Sequence, residues 1–365
     1  MPIEAFRVNI HPIAGARHVA GAPGPPPGAY DADIILLALD RPDETCAAIR
    51  SALSQTGIGR HVIVVDQGSR PEHLARIADL VHGRTDCTLI RLDGNRGVAG
   101  GRNRATALGH GRVVIALDND AEFAATTTAA DAVAALDGTP ELAAIGFRIL
   151  AFGHGADDHS SWGYPPRLRP RAGEIFDATT FVGAGHAIRR VAWDAAGPYD
   201  EALFFCWEEY DFCLRAIALG WMIRYRGDIA VLHKVSPQQR VTWSSTRWFY
   251  YVRNRVYIER KHGGGWLAVT PRLAGYALRG LRNGLSRQTL HGITAGIRLA
   301  RRAEIAPLPA SARAYLARTD GAHRGGLLGR LRDEVLPALS AAPFQARWAS
   351  LSRSSSPNTG GSSTR

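Results

Sequence analysis

The chain has 365 residues, with 44 Lys and Arg against 33 Asp and Glu, a formal net charge of +11 and 45% hydrophobic residues. That length and apolar content exclude an intrinsically disordered chain and allow two domains, or one large α/β domain with appendages. The positive balance favours an anionic partner: a nucleotide, a lipid pyrophosphate, a phospholipid surface or a nucleic acid.

Residues 1–30 read as an extension, with one edge strand over 3–13 and a linker in "GAPGPPPGAY" (21–30). From Asp33 the pattern becomes regular. It predicts strands over 33–39, 61–66, 87–92 and 113–117, alternating with helices over 42–55, 71–81 and 100–110. Such alternation implies right-handed βαβ units and a largely parallel sheet. The text after Ala121 is irregular until a small-residue turn and helix over 179–197. A helix with an acidic first turn then spans 207–220, and a strand pair or extended segment spans 221–233. A basic, helical region over 236–347 and a low-complexity tail over 348–365 close the chain, so the α/β unit is placed at 31–235. Cys46, Cys87, Cys206 and Cys213 form no CxxC pair, which argues for reduced thiols rather than a zinc ribbon or disulfide framework. No segment has the pattern of a secretory signal or approaches the roughly 18 apolar residues of a spanning helix. A cytoplasmic location is expected, with peripheral contact at the inner face of the plasma membrane.

Three clusters carry chemistry. The apolar run "VVIAL" ends in Asp118, Asn119 and Asp120, at the carboxyl edge where ligands bind parallel sheets. Two carboxylates so close repel each other unless hydrated or neutralised, and oxygen ligands suit Mg²⁺ or Mn²⁺ beside substrate phosphates. The loop "DGNRGVAGGRNRA" (93–105) adds glycines that admit close backbone approach and arginines for phosphate. A dinucleotide fingerprint is the competing reading, but the spacing is GxxGxxG and the loop follows the third strand rather than the first. The third cluster, "FFCWEEYDFCLRA" (204–216), sets Glu208 and Glu209 in a helix's first turn beside Trp207, whose flat face suits a sugar ring. His233 by itself reads as structural.

Together "VVDQGS" (64–69), "NRGVAGGRNRA" (95–105), "ALDNDAEF" (116–123), "FVGAGHAIRRVAWDAAGPYDEALFFCWEEYDFCLRAIALGW" (181–221) and "VLH" (231–233) resemble inverting family 2 glycosyltransferases of GT-A fold, with most likeness to rhamnosyl- and galactofuranosyl-transferase-like members. The resemblance implies that Asp66 contacts a pyrimidine base and that Asn95, Gly97, Arg102 and Asn103 shape the nucleotide pocket. It makes Asp118, Asp120 and His233 the metal site, with Asp118 facing the ribose or the metal. Glu209 takes the position of the general base in the family's Glu-Asp-x-Asp motif, where most relatives carry Asp. Glu208 is the fallback base, and Trp207 and Glu208 are the acceptor contacts. The implied partners are a dTDP- or UDP-sugar, rhamnose first, and a glycan or lipid-linked acceptor in cell-surface polysaccharide or glycoconjugate synthesis. A catalytically silent relative that binds nucleotide or lipid is the alternative. The Arg-rich helices over 271–305 suit an anionic leaflet, and no nucleic-acid-binding motif is present.

Overall fold

The computed structural model describes residues 15–234 and 245–323. The strand expected over 3–13 and the tail expected over 348–365 lie outside the described residues.

The four apolar runs form the parallel part of one sheet. Strands β2 (Ala32–Ala38), β3 (Arg60–Asp66), β4 (Cys87–Leu92) and β5 (Val113–Leu117) pair in the order β4-β3-β2-β5. Both faces of these strands are covered, which is why they read as continuous apolar runs instead of alternating ones. Helices α1 (Pro42–Leu53), α2 (Pro71–Val81) and α3 (Gly97–Leu108) make the crossovers. α1 and α2 open on proline, whose fixed φ suits the first helical turn.

On either side of this block the sheet is mixed. β1 (Ala16–Gly21), within the segment read as linker and extension, pairs antiparallel with β4. The stretch read as irregular contains β6 (Ala121–Phe123), helix α4 (Thr128–Asp137), the ten-residue β7 (Leu142–Ala151) and β8 (Ile175–Ala178). The expected turn and helix over 179–197 is a strand, β9 (Gly185–Arg189), followed by a short α5 (Arg190–Ala196). Then come α6 (Glu208–Ala218) and β10 (Met222–His233), one long strand where a pair had been an option. Among the described residues the order is β1-β4-β3-β2-β5-β9-β7-β10-β6, with β8 also on β10. β9 is antiparallel to both β5 and β7, which brings Gly185 opposite Leu117 and the preceding loop over the Asp118 edge.

Helices α7 (Ser245–Lys261), α8 (Trp266–Arg282), α9 (Ser286–Ala300) and α10 (Ala310–Thr319) form the C-terminal layer. α9 lies so close to α7 that a Cβ on Gly296 would sit 2.6 Å from the Arg253 carbonyl oxygen, so glycine sets that spacing. Leu267, Leu278, Leu281 and Leu290 of this layer are exposed. No helix among the described residues is long and apolar enough to cross a membrane. All four cysteines are free of disulfides.

The layer is tied to α6 by charge. Asp211, fully buried, accepts from Arg215 Nε (3.1 Å), Lys261 Nζ (3.0 Å) and His262 Nε2 (2.9 Å), the last two on or just after α7. Burial alone would raise its pKa, but His262, Arg215 and Lys261 outweigh that and hold it below the ordinary 3.8. Its stabilisation is therefore complete above the unfolded carboxyl's pKa and is lost as pH falls below it. Asp211→Asn is expected to cost about 3–5 kcal/mol near neutral pH and to flatten the acid limb of a Tm-versus-pH profile measured by calorimetry.

Candidate active site

The site is built at the carboxyl edge of the parallel strands, around a cavity of about 500 Å³. That volume lies within the roughly 300–1,000 Å³ of small-molecule sites. Asn95, Gly97, Asp118, Asp120 and His233 line it, as do Arg41, Gln67, Phe204, Phe205 and Lys234.

Asp118, Asp120 and His233 each bring one ligand-type atom to within 4.8 Å of the others. Asp118 and Asp120 follow β5 directly, and His233 ends β10, which pairs with β6 so that His233 lies opposite Ala121. His233 Nε2 is 3.2 Å from Asp120 Oδ1. Its Nδ1 is 3.2 Å from Oδ2 of Asp158, a buried carboxylate that also accepts from Ser160 N and Ser161 Oγ. Donation of the Nδ1 proton to Asp158 would leave the Nε2 lone pair to a bound cation, the tautomer a metal ligand requires. Desolvation would raise the Asp120 pKa, but His233 and Arg41 overcome it and bring it down to about 2. The Arg41 guanidinium, 2.9 Å from Asp120 Oδ2, supplies positive charge to the cluster. Two carboxylates and an imidazole aimed at one point fit a divalent cation that tolerates oxygen and nitrogen ligands.

The glycine-rich loop does something other than approach a ligand along its length. Gly97, at φ +70°, lets the Phe204 carbonyl come close enough to accept from Val98 N at 2.7 Å. A Cβ there would lie 2.0 Å from that oxygen, so Gly97 packs the loop 204–207 onto the start of α3. Cys206 and Trp207 are also left-handed, at φ 71° and 75°. Asn254 on α7 holds this strained loop by donating to the carbonyls of Leu203, Phe205 and Cys206.

Arg102 was expected in the nucleotide pocket. It is instead 3% exposed beneath it, where Nη1 donates to Glu209 Oε1 (2.7 Å) and Nη2 to Asp118 Oδ1 (3.0 Å) and the Gly183 carbonyl (2.7 Å). Asn103 also misses the cavity. Its amide donates to the Tyr199 carbonyl and accepts from Tyr199 N. Asp66 is fully buried, its oxygens accepting from Gly68 N and Ser69 N at 3.2 Å each, so its neighbour Gln67 is the residue that faces the cavity. Glu209 is 13% exposed and held by Arg102. Glu208 is 2% exposed; burial, then the Glu209 charge, push its pKa well above the usual range, with Arg102 opposing. Glu209 is the less buried of the two and is fixed by Arg102, so the geometry favours Glu209 over Glu208 as a base. The Trp207 ring is occupied by protein: Nε1 donates to the Tyr251 carbonyl and the Arg255 guanidinium lies 4.9 Å from its centre. Arg41, Gln67 and Asp158 were missed from sequence. Only Gln67, inside the "VVDQGS" motif, carried a local signal.

Residues 33–196, a little under half of the chain, match the family model described as Glycosyl transferase family 2, and that match supports a glycosyltransferase enzyme. Two curated proteins of Rhizobium meliloti (strain 1021) are similar to the chain. Succinoglycan biosynthesis protein ExoO is 37% identical over 90 residues, covering 25% of this chain and 25% of the relative. Succinoglycan biosynthesis protein ExoU is 36% identical over 95 residues, covering 26% and 27%. The match thus spans about a quarter of the length of these relatives. Among solved structures, the mannosyltransferase PcManGT from Pyrobaculum calidifontis, in complex with GDP-Man and Mn²⁺, has a TM-score of 0.51 at 16% identity, covering 91% of this chain and 86% of that one. GalNAc-T7 with UDP, GalNAc and Mn²⁺ has a TM-score of 0.53 at 14% identity, covering 75% and 57%. These likenesses define the fold as GT-A, a mixed α/β sheet flanked by helices.

If Asp158 orients His233 as the geometry indicates, Asp158→Ala will weaken Mn²⁺ binding by about 10–100-fold in titration calorimetry, with the fold retained by circular dichroism.

Proposed function

We propose that the chain is an inverting, metal-dependent glycosyltransferase that moves a sugar from a nucleotide diphosphate to a hydroxyl of a glycan or glycolipid in polysaccharide synthesis. The observation that carries this reading is Arg102, which joins Glu209 to Asp118 and so ties a candidate base to the metal-type donor set. The family 2 match and the succinoglycan-biosynthesis relatives support the reaction class.

Asp120, His233 and Asp118 would hold the cation, which when bound supplies positive charge opposite a diphosphate leaving group. The nucleotide occupies the cavity, with its base toward Gln67 and Asn95 and the turn set by Asp66. A pyrimidine nucleotide, dTDP or UDP, and rhamnose or another hexose remain the donor of this proposal, supported by the motif resemblance. Glu209 Oε1 stays on Arg102, which leaves Oε2 to receive the proton of the acceptor hydroxyl. As that O–H bond breaks, the acceptor oxygen bonds to the anomeric carbon. The bond from that carbon to the β-phosphate oxygen breaks on the opposite face, and its electron pair leaves with the nucleotide diphosphate. Configuration inverts in this single displacement. The extra methylene of Glu209 relative to Asp places the carboxylate further from the helix, and the Arg102 pairing fixes where it ends.

Correctly placed base catalysis is worth about 10² to 10⁴ in rate. Glu209→Gln is therefore expected to lose turnover on that scale while keeping nucleotide-diphosphate affinity, and Asp120→Ala to lose both Mn²⁺ binding and activity. The check is a transfer and hydrolysis screen of dTDP-, UDP- and GDP-sugars with Mn²⁺ or EDTA. Transfer by both variants at the unaltered rate in EDTA would refute the assignment.

A further inference from the structure

We propose that the outward faces of α8 and α9 form an interfacial surface that lies on an anionic phospholipid leaflet. The proposal goes beyond the transfer reaction and needs no part of it.

On α8, Leu267, Pro271, Ala274, Leu278 and Leu281 follow at alternate intervals of four and three residues, the spacing of one helix face. All five are exposed, Leu267 at 89% and Leu281 at 69%. Val269, Tyr276 and Gly280, about half a turn away, are buried. A surface helix ordinarily turns polar residues outward, opposite its buried face; here that face carries leucine. Single exposed leucines are common on soluble proteins, but an aligned run of them marks a contact surface. α9 buries Thr289, Gly292, Gly296 and Ala300, with Gly292 and Gly296 against α7. The opposite face of α9 carries Arg287, Leu290 and Arg298, all exposed.

The charge of the chain is concentrated in the same segment. Residues 260–303 hold nine Lys and Arg and no Asp or Glu, so they carry +9 of the net +11. Part of this is answered from neighbouring elements, Lys261 by Asp200 and Asp211 and Arg272 by Glu259. Among the described residues, Arg287, Arg298, Arg301 and Arg302 form no ion pair. The last three lie at the C-terminal end of α9, where the helix dipole favours a cation. Arg287 is in the first turn, where the dipole opposes one and no acid accompanies it. An anionic surface reverses that balance.

Leucine and arginine on one exposed face fit a leaflet in particular. The apolar side chains enter between headgroups while the guanidinium groups meet the phosphates. A polynucleotide would use the arginines and leave the leucines in water. A second copy of the chain, related by a two-fold axis, would cover the leucines but set the same arginines against each other.

The test is co-sedimentation of the full chain, in EDTA and without donor, with vesicles of phosphatidylglycerol and phosphatidylcholine or of phosphatidylcholine alone. Tighter binding to the anionic vesicles is expected. Arg287→Gln with Arg298→Gln should weaken it by about 25-fold at low salt, roughly fivefold for each charge at an anionic leaflet. Leu278→Ser with Leu281→Ser should weaken it by at least about tenfold, with the fold checked by circular dichroism. On the unaltered protein, anionic vesicles should slow amide hydrogen exchange over 266–300, a readout that depends on no variant. Absence of vesicle binding, full affinity in the leucine variant, or protection confined to other segments overturns the proposal. So does a leucine-dependent dimer in sedimentation whose vesicle binding ignores the leucines, or tighter binding to a single-stranded RNA than to the vesicles. Loss of Mn²⁺-dependent transfer with vesicle binding intact would reject the enzyme reading alone, and the reverse result would reject this surface alone.

Discussion

A guanidinium that water scarcely reaches holds the site together. Arg102 leaves α3 beneath the cavity and donates at once to Asp118 after β5, to Glu209 at the start of α6 and to the carbonyl of Gly183. Without it two carboxylates from distant parts of the chain would face each other across a partly desolvated gap. With it their repulsion becomes two attractions to one centre, a mostly buried one to Glu209 and a more exposed one to Asp118. The position of the candidate base relative to the acidic edge is therefore set by a salt bridge before any ligand arrives.

Two further supports depend on that arrangement. The loop 204–207 carries residues in left-handed conformation, and it stays in place because Gly97 admits the Phe204 carbonyl on one side and Asn254 binds two of its carbonyls and that of Leu203 on the other. The C-terminal helices are thus part of the site's framework as well as a surface layer. Acidic residues divide accordingly. Asp211 and Asp158 are buried and hold other side chains, Asp118 and Asp120 line the cavity, and Glu209 is joined to that edge through Arg102.

The parallel block was legible because its strands are covered on both faces and so read as uninterrupted apolar runs, punctuated by Asp, Gly and Pro. The acidic edge was legible for the same reason, since Asp118 breaks a run of five apolar residues. β9 was not, because "GHAIR" is too short to show a period and is antiparallel between two strands far away in sequence. α4 was missed because alanine on every face leaves no stripe against which to see a 3.6-residue repeat. The roles of Arg41, Arg102 and Asp158 rest on pairings across 16 to 107 positions of chain, which no local pattern encodes. Asp66 shows the reverse case. Its motif was plain, but its carboxylate is spent on its own turn, and Gln67 faces the cavity.

The most direct measurement is a crystal structure of the full chain soaked with Mn²⁺ and a nucleotide diphosphate. The account predicts an ion held by Asp120 and His233 Nε2, with Asp158 still on Nδ1, Arg41 moved off Asp120 and Glu209 still on Arg102. A nucleotide bound with no ion at that edge and Arg41 still paired to Asp120, or Glu209 released from Arg102 and turned away from the cavity, would contradict it.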